Sequence, residues 1–300
     1  MDVMAVDRKP RERWYQTPHD VRSFTDTSVR ELVPANLSGI DEVYHLAADM
    51  GGIGYITHNL VSCSRNVVDT INLLDCVHPD TLVFFSSSAC VYPVHMQEKG
   101  GNVSLAEHMV WPYDPEPGYG FEKLYGEQLM KWYHEERDVQ TRVARYHNVY
   151  GPHGSWNDGR EKAPAAICRK VAIAKLTGEH TIDIWGDGEQ TRSFMYVDDC
   201  VEGTKLITRD TRPDAYEPVN LGTEDWVTIN ELVSIVEQIA GVHLRRRYDL
   251  TAPQGVRGRN SDNTLIAERL GWEPKLTLEY GLEKTYHWVY DQVKAAAEGS

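Results

Sequence analysis

Long hydrophobic runs are missing from this sequence of 300 residues. Nothing in it approaches the ~18–20 consecutive apolar residues that cross a bilayer. The opening stretch, MDVMAVDRKPRERWYQ, has no apolar segment of the kind a secretory signal carries. A membrane role and secretion are therefore not expected, and a cytoplasmic location is the default. Cysteine is scarce: Cys63, Cys76, Cys90, Cys168 and Cys200 are odd in number and never in C-x-x-C spacing. A disulfide framework and a zinc site are both disfavoured, and no metal is expected. Positive charge is short as well, with 31 Lys and Arg against 45 Asp and Glu and a net charge of −14. Such a field repels nucleic acid and anionic membranes unless cations are concentrated locally. Internal repeats and low-complexity tracts are absent. With 41% hydrophobic and 25% charged residues, the composition is that of a globular protein able to bury a core.

What is present is an alternation. Short β-branched or apolar runs at Val3 to Val6, Glu42 to Ala47, Thr81 to Ser86 and Thr141 to Tyr146 are separated by helical patterns at Asn59 to Val77 and Lys123 to Glu136. Strand and helix in turn predict an α/β fold, a Rossmann-like doubly wound parallel sheet with crossover helices. After Gly151 the pattern loosens. The expected organisation is a cofactor-binding sheet domain over 1–150, rejoined by about 194–222, with a smaller substrate-binding lobe from 151–193 and 223–300.

One element of such a fold is not in the sequence. In a dinucleotide-binding unit the first strand meets a Gly-rich turn and a helix, and an acid at the end of the second strand binds the ribose hydroxyls. Val3 to Asp7 reads as that second strand with its acid, and only six residues precede Asp7. Gly51-Gly52-Ile53-Gly54 follows a strand but lacks the G-x-G-x-x-G spacing. The first strand and its turn are thus expected to be absent, and the chain as given is expected to hold a dinucleotide weakly.

Tyr119-Gly120-Phe121-Glu122-Lys123 places Tyr and Lys on one helix face. A lysine there can lower the tyrosine's pKa and make it a base for an alcohol proton. The spacing alone is weak, because Tyr280 and Lys284 repeat it in an ordinary amphipathic helix. Context separates the copies. Leu82-Val83-Phe84-Phe85 runs into Ser86-Ser87-Ser88-Ala89-Cys90, so Ser88, Tyr119 and Lys123 fall at the carboxyl end of a sheet, where ligands bind in such folds.

On these residues the chain resembles the extended short-chain dehydrogenase/reductases, the NAD-dependent nucleotide-sugar epimerases and dehydratases. Further stretches narrow the resemblance: Ala47 to Gly52, Ser88 to Pro93, Arg145 to Pro152, Gly159 to Ala166, Trp185 to Phe194 and Gly255 to Asn263. Together they are similar to the branch of that family that inverts C3 and C5 of GDP-mannose.

The resemblance implies NAD as cofactor, with Asp7, Asp26, Tyr119 and Lys123 as its contacts. It implies Tyr119, Lys123 and Ser88 as the oxidation group, and Cys90 and Lys162 as proton carriers on the two faces of the sugar. The substrate would be lined by Gly51, Ser88, Ala89, Cys90, Asn148, Glu161, Lys162, Ala163, Lys170, Gln190, Thr191, Arg192 and Arg259. Lys162, Lys170, Arg192 and Arg259 offer the local cations that a pyrophosphate needs. GDP-L-galactose would be the product, with GDP-L-gulose the singly inverted alternative. Sugar 4,6-dehydratases carry an Asp-Glu pair where this chain has Ala89 and Cys90, so dehydration is not expected. A homodimer packed through the Asn59 to Val77 and Tyr119 to Glu136 helices is implied too. His147 and Trp185 read as packing or pocket wall, and Arg245 to Arg247 as a solvated strand end. Two alternatives stay open: an epimerase for another nucleotide sugar, and a truncated, non-catalytic remnant that binds nucleotide sugar without turning it over.

Overall fold

The computed structural model describes residues 2–15, 21–98 and 103–298. The chain opens with β1 (Val3–Asp7) and β2 (Val21–Asp26), a parallel pair in which Asp7 lies opposite Asp26. β3 (Glu42–His45) leads into α1 (Ile53–His58), α2 (Leu60–Ser64) and α3 (Asn66–Cys76), followed by β4 (Leu82–Ser88) and α4 (Val94–Glu98). Next come β5 (Ser104–Leu105), α5 (Tyr119–Arg137), β6 (Gln140–Tyr146), β7 (Val149–Tyr150), α6 (Ala163–Thr177) and β8 (Thr181–Trp185). β9 (Thr191–Arg192), β10 (Met195–Tyr196), α7 (Val197–Thr208), β11 (Val219–Leu221), β12 (Val227–Thr228) and α8 (Ile229–Ala240) follow. The chain closes with β13 (Arg245–Asp249), β14 (Gly258–Ser261), α9 (Thr264–Leu270) and α10 (Leu278–Glu298).

The alternation expected from the sequence is found as a Rossmann-like parallel α/β fold. Four strands in the order β11, β6, β4, β3 form the central sheet, every pair parallel. β1 and β2 form a separate two-stranded ladder among the described residues. The helical stretch expected over 59–77 is divided at Arg65, where the N–H bonds to Ser62 O three residues back and tightens the turn between α2 and α3.

Strands covered on both faces read as nearly continuous apolar runs, and β4 shows why. Val83 and Phe85 point into a core with Leu73 and Leu74 of α3 and Leu129 and Met130 of α5. Phe84, between them, points the other way, to Cys200 and Ile207 of α7 and Ile266 of α9. Both phenylalanines are fully buried, and each such burial contributes about 1.5–3 kcal/mol. A further core joins Ile167 and Val171 of α6, Ile182 and Ile184 of β8, Leu232 and Val236 of α8, and Leu282 and Val289 of α10.

Beneath the carboxyl ends of the strands lies a buried polar network. Arg145 of β6 is 4% exposed and makes a bidentate pair with Glu127 of α5, at 2.9 and 2.7 Å. Ser87 of β4 donates to the same carboxylate. Arg145 also donates to Glu107 O and to the Tyr92 hydroxyl, which donates to Asn220 Oδ1 at 2.7 Å. Asn220 of β11 in turn donates to Leu105 O and Asp262 O and meets His147 Nε2. Burial works against the guanidinium charge, but Glu127 more than offsets it and holds Arg145 charged. Glu127→Gln should leave an uncompensated buried cation and cost about 3–5 kcal/mol of stability. Urea unfolding followed by circular dichroism measures this; a loss under 1 kcal/mol would mean the pair is not the clamp it looks to be.

Candidate active site

Three loops leave the carboxyl ends of neighbouring strands: 46–52 after β3, 89–91 after β4, and 147–148 after β6. Together with the 159–162 loop before α6 and the β8, β9 and β14 strands they enclose a cavity of about 370 Å³. Its wall includes Ser88, Cys90, Tyr119, Lys162, Arg192 and Arg259. Gly51, Ala89, Asn148, Glu161, Ala163, Lys170 and Gln190, all named from the sequence, line it too. Thr191 does not; its backbone is engaged in the β9 ladders to β12 and β14. Trp185, left as packing or wall, is wall, whereas His147 is fully buried behind it in the polar network.

Local structure places the chemistry. Ser88 ends β4, and its hydroxyl accepts the Cys90 N–H at 3.2 Å, capping the short turn that presents Cys90. Tyr119 is the first residue of α5 and is 6% exposed. Gly120 behind it has no side chain to spare room for, since a Cβ would stand 2.4 Å from Cys90 O. Lys123, one turn on and 2% exposed, holds its amine 4.6 Å from the Phe85 ring centroid and 5.6 Å from that of Tyr119. The lysine was expected to lower the tyrosine's pKa. Instead burial, with Cys90 and Glu122 adding to it, holds the Tyr119 phenol well above its ordinary value, and the Ser88 hydroxyl pulls only partly the other way. The physical reason is burial of the phenol first; the Glu122 carboxylate, which adds to it, also stands 3.7 Å from the Lys123 amine.

Lys162 caps α6 at its N-terminus, and burial pushes its amine below the usual value. Arg192 is driven down to about 9, first by burial and then by Arg259. Lys170 donates to Asp183 O at 2.7 Å. Asn148 has a left-handed backbone (φ 46°), a conformation asparagine tolerates, and donates to Ser193 O. In the decoy motif Tyr280 is 42% exposed on α10.

Two features of the site were not named from the sequence. Asp49 accepts from Tyr55 at 2.8 Å, from Arg160 at 2.6 Å and from Ser62, and these bonds outweigh burial to hold its carboxyl at about 2. Arg160 also lies 4.0 Å over the Tyr55 ring, and Gly52 N donates to Arg160 O. The loop after β3 is thereby bolted to the loop that carries Lys162. The other is Glu116, a buried carboxylate in the cavity wall.

For a dinucleotide the donor set fits at two places. Asp7 and Asp26 lie side by side at the ends of β1 and β2, placed to accept ribose or adenine donors. Lys123 Nζ, too far from Glu122 for a hydrogen bond, keeps donors for a ribose diol. Among the described residues no Gly-rich turn opens a helix after β1. Gly51 to Gly54 is used otherwise: a Cβ on Gly52 would stand 2.6 Å from Glu161 O, so this turn is packed against protein.

The sequence profile of the NAD dependent epimerase/dehydratase family matches residues 1–222. The GDP-mannose 3,5-epimerase of Arabidopsis thaliana is 42% identical over 303 aligned residues, covering 99% of this chain and 78% of the relative. GDP-mannose 3,5-epimerase 1 of Oryza sativa subsp. japonica is 45% identical over 260 residues, 86% of this chain and 66% of its own length. Among solved structures, UDP-glucose 4-epimerase of Thermotoga maritima with UDP-glucose aligns at a TM-score of 0.84 and 25% identity, over 97% of this chain and 92% of that one. UDP-glucuronic acid 4-epimerase of Bacillus cereus, in complex with UDP-glucuronic acid and NAD, aligns at 0.76 and 26%, over 90% and 82%.

Gly52→Ala should force the 159–162 loop and Lys162 outward while leaving the sheet intact. The expected outcome is at least tenfold faster tryptic cleavage after Arg160, read by mass spectrometry, with an unchanged circular dichroism spectrum.

Proposed function

The chain belongs to the NAD dependent epimerase/dehydratase family, and from that premise we propose that it is an NAD-dependent epimerase acting on GDP-mannose at C3 and C5. One observation carries the reading: a hydroxyl, a phenol and two separate proton carriers, Ser88, Tyr119, Cys90 and Lys162, face one cavity, with the Lys123 amine buried behind the phenol 5.6 Å from its ring centroid. An unactivated C–H centre does not invert at a useful rate. NAD, when bound, supplies a reversible hydride store at C4, and the ketone this leaves on the sugar acidifies the hydrogens at C3 and C5.

The chain's own residues do the rest. Tyr119 Oη takes the C4 hydroxyl proton, with Ser88 hydrogen-bonding the same oxygen. The buried phenol resists losing its proton at rest, and the Lys123 ammonium beside the ring is the cation that stabilises the phenolate when the proton goes to or from the sugar. Cys90 Sγ and Lys162 Nζ take and return protons on the two faces of the ring. Burial around Lys162 lowers its pKa and so favours the neutral amine, the form that accepts a proton. Asp7 and Asp26 hold the adenosine end of the cofactor, and Lys123 the nicotinamide ribose. Lys170, Arg192 and Arg259 supply positive charge for the pyrophosphate on a chain of net charge −14. Ala89 and Cys90 leave the site without the paired acids of a dehydratase.

Turnover of GDP-mannose in deuterium oxide with NAD should place deuterium at C5, and at C3 in the doubly inverted product, with none at C4. Tyr119→Phe should abolish exchange, and Tyr280→Phe should leave it within about twofold of the parent. Deuterium at C4, or a 6-deoxy-4-keto product, would overturn the mechanism; exchange only with a different nucleotide sugar would move the substrate, and a saturated site with no exchange on any sugar would leave the non-catalytic reading.

A homodimer is part of the proposal. Phe121, Tyr125 and Trp132 form one exposed stripe along α5, and Leu60, Val61 and Val68 are exposed on the adjoining α2 and α3. Contiguous apolar surface of this kind suits a second copy of the chain. Among the described residues no helix is long and apolar enough to cross a membrane, and five free, buried cysteines suit a reducing compartment, the cytoplasm. Sedimentation should give a dimer that Phe121→Glu weakens at least tenfold; a parent monomer at high micromolar concentration would refute the interface.

A further inference from the structure

Glu116 belongs to none of the steps above, yet it is tied to Cys90 by two routes. Its backbone N–H donates to Cys90 O at 3.1 Å. Its side chain, in the cavity wall and 8% exposed, accepts from Arg259 Nη1 at 3.0 Å. The other terminal nitrogen of Arg259 donates to Cys90 Sγ at 3.6 Å. Nη1 is further held by Gln97 Oε1 at 3.3 Å and Ala89 O at 3.4 Å, so the guanidinium is anchored on several sides and cannot follow a ligand far. Gln97 is itself pinned, donating to Tyr92 O and Pro93 O.

The charges facing Cys90 come from several elements. Arg259 on β14 and Lys162 at the start of α6 are cationic, as is Arg192 on β9, and Glu116 ahead of α5 is the anion; the Tyr119 phenol and Ser88 hydroxyl complete the set. A bare guanidinium against a sulfur draws out its proton, because the thiolate is the form it attracts. An ion pair cancels most of that attraction. We propose that Glu116 is a positioning residue for Cys90: it holds Arg259 against the sulfur and neutralises it, so that the guanidinium does not draw off the proton that the buried Sγ keeps as a proton carrier. Burial and Glu116 push the thiol up while Arg259 and Ser88 pull it down, in keeping with that balance. The inference deepens the epimerase reading, since it concerns a group that reading makes a proton carrier, but its test does not need turnover.

The test is the pH dependence of Cys90 alkylation by iodoacetamide, read peptide by peptide by mass spectrometry on the full chain between pH 6 and 10. Glu116→Gln should move the Cys90 midpoint to lower pH and raise the rate at pH 7 about tenfold, one pKa unit. Arg259→Met should move it the opposite way. Glu116→Asp, which keeps the charge, should stay near the parent. Cys76 and Cys168, buried in cores away from this cluster, report unfolding: where they accelerate in the Gln variant, the Asp variant and Arg259→Met decide. Midpoints unmoved by Glu116→Gln, a shift of the same sign in Glu116→Gln and Arg259→Met, or a Cys90 no more reactive than Cys168 at every pH would each overturn the proposal. Deuterium exchange failing while these shifts appear would remove the epimerase reading and leave the role of Glu116 standing.

Discussion

The Arg145–Glu127 pair is the constraint on which the site depends. It joins α5 to β6 through two charge-assisted hydrogen bonds in a place where neither charge could stand alone. Ser87 attaches the same carboxylate to β4. α5 presents Tyr119 and Lys123 at its N-terminus, and β4 ends in Ser88. A single buried carboxylate thus fixes the helix bearing the phenol and amine against the strand bearing the hydroxyl, and the Tyr92–Asn220–His147 extension carries that reference to β11. Preorganisation of this kind places reacting groups before substrate arrives.

A second constraint is electrostatic. The chain is acidic overall, yet Lys162, Arg192 and Arg259 gather in one cavity wall, where burial and mutual repulsion push Arg192 down to about 9. Glu116 answers Arg259, and holding the remaining cations together is unfavourable until a further anion joins them, which is the condition a pyrophosphate would meet. The Asp49–Arg160 bolt and the Glu116–Arg259 pair then divide the work of holding the walls: one fixes the loop that carries Lys162, the other fixes the charge beside Cys90. The Glu116–Arg259 pair is buried and the Asp49–Arg160 pair half-buried, so both are screened less than a fully exposed ion pair.

Much of this was legible in the residues. Apolar strands alternating with helical patterns specified the parallel sheet, because a strand covered on both faces has few other sequences open to it. Ser88, Tyr119 and Lys123 could be placed at its carboxyl end because β4 runs directly into the hydroxyls. The decoy at Tyr280 separated by the same argument, and in the fold Tyr280 is a partly exposed residue of α10. The substrate-lining residues that motif resemblance named all stand in the cavity wall, Thr191 excepted.

Other properties had no sequence signal. Glu116 and Asp49 are ordinary carboxylates until the fold sets them against arginines 143 and 111 residues away. The high pKa of Tyr119 depends on burial and then on Cys90 and Glu122 standing near the phenol, none of which a Tyr/Lys spacing encodes. Gly51 to Gly54 lacks the spacing of a phosphate turn, but no local pattern shows that Gly52 packs against the Glu161 backbone. The division has a physical basis. Residue type and local period determine which elements form and which face is buried, so the sheet, the helices and the candidate chemical groups follow from the sequence alone. Burial, charge balance and reach depend on what stands opposite each side chain, and only tertiary packing decides that.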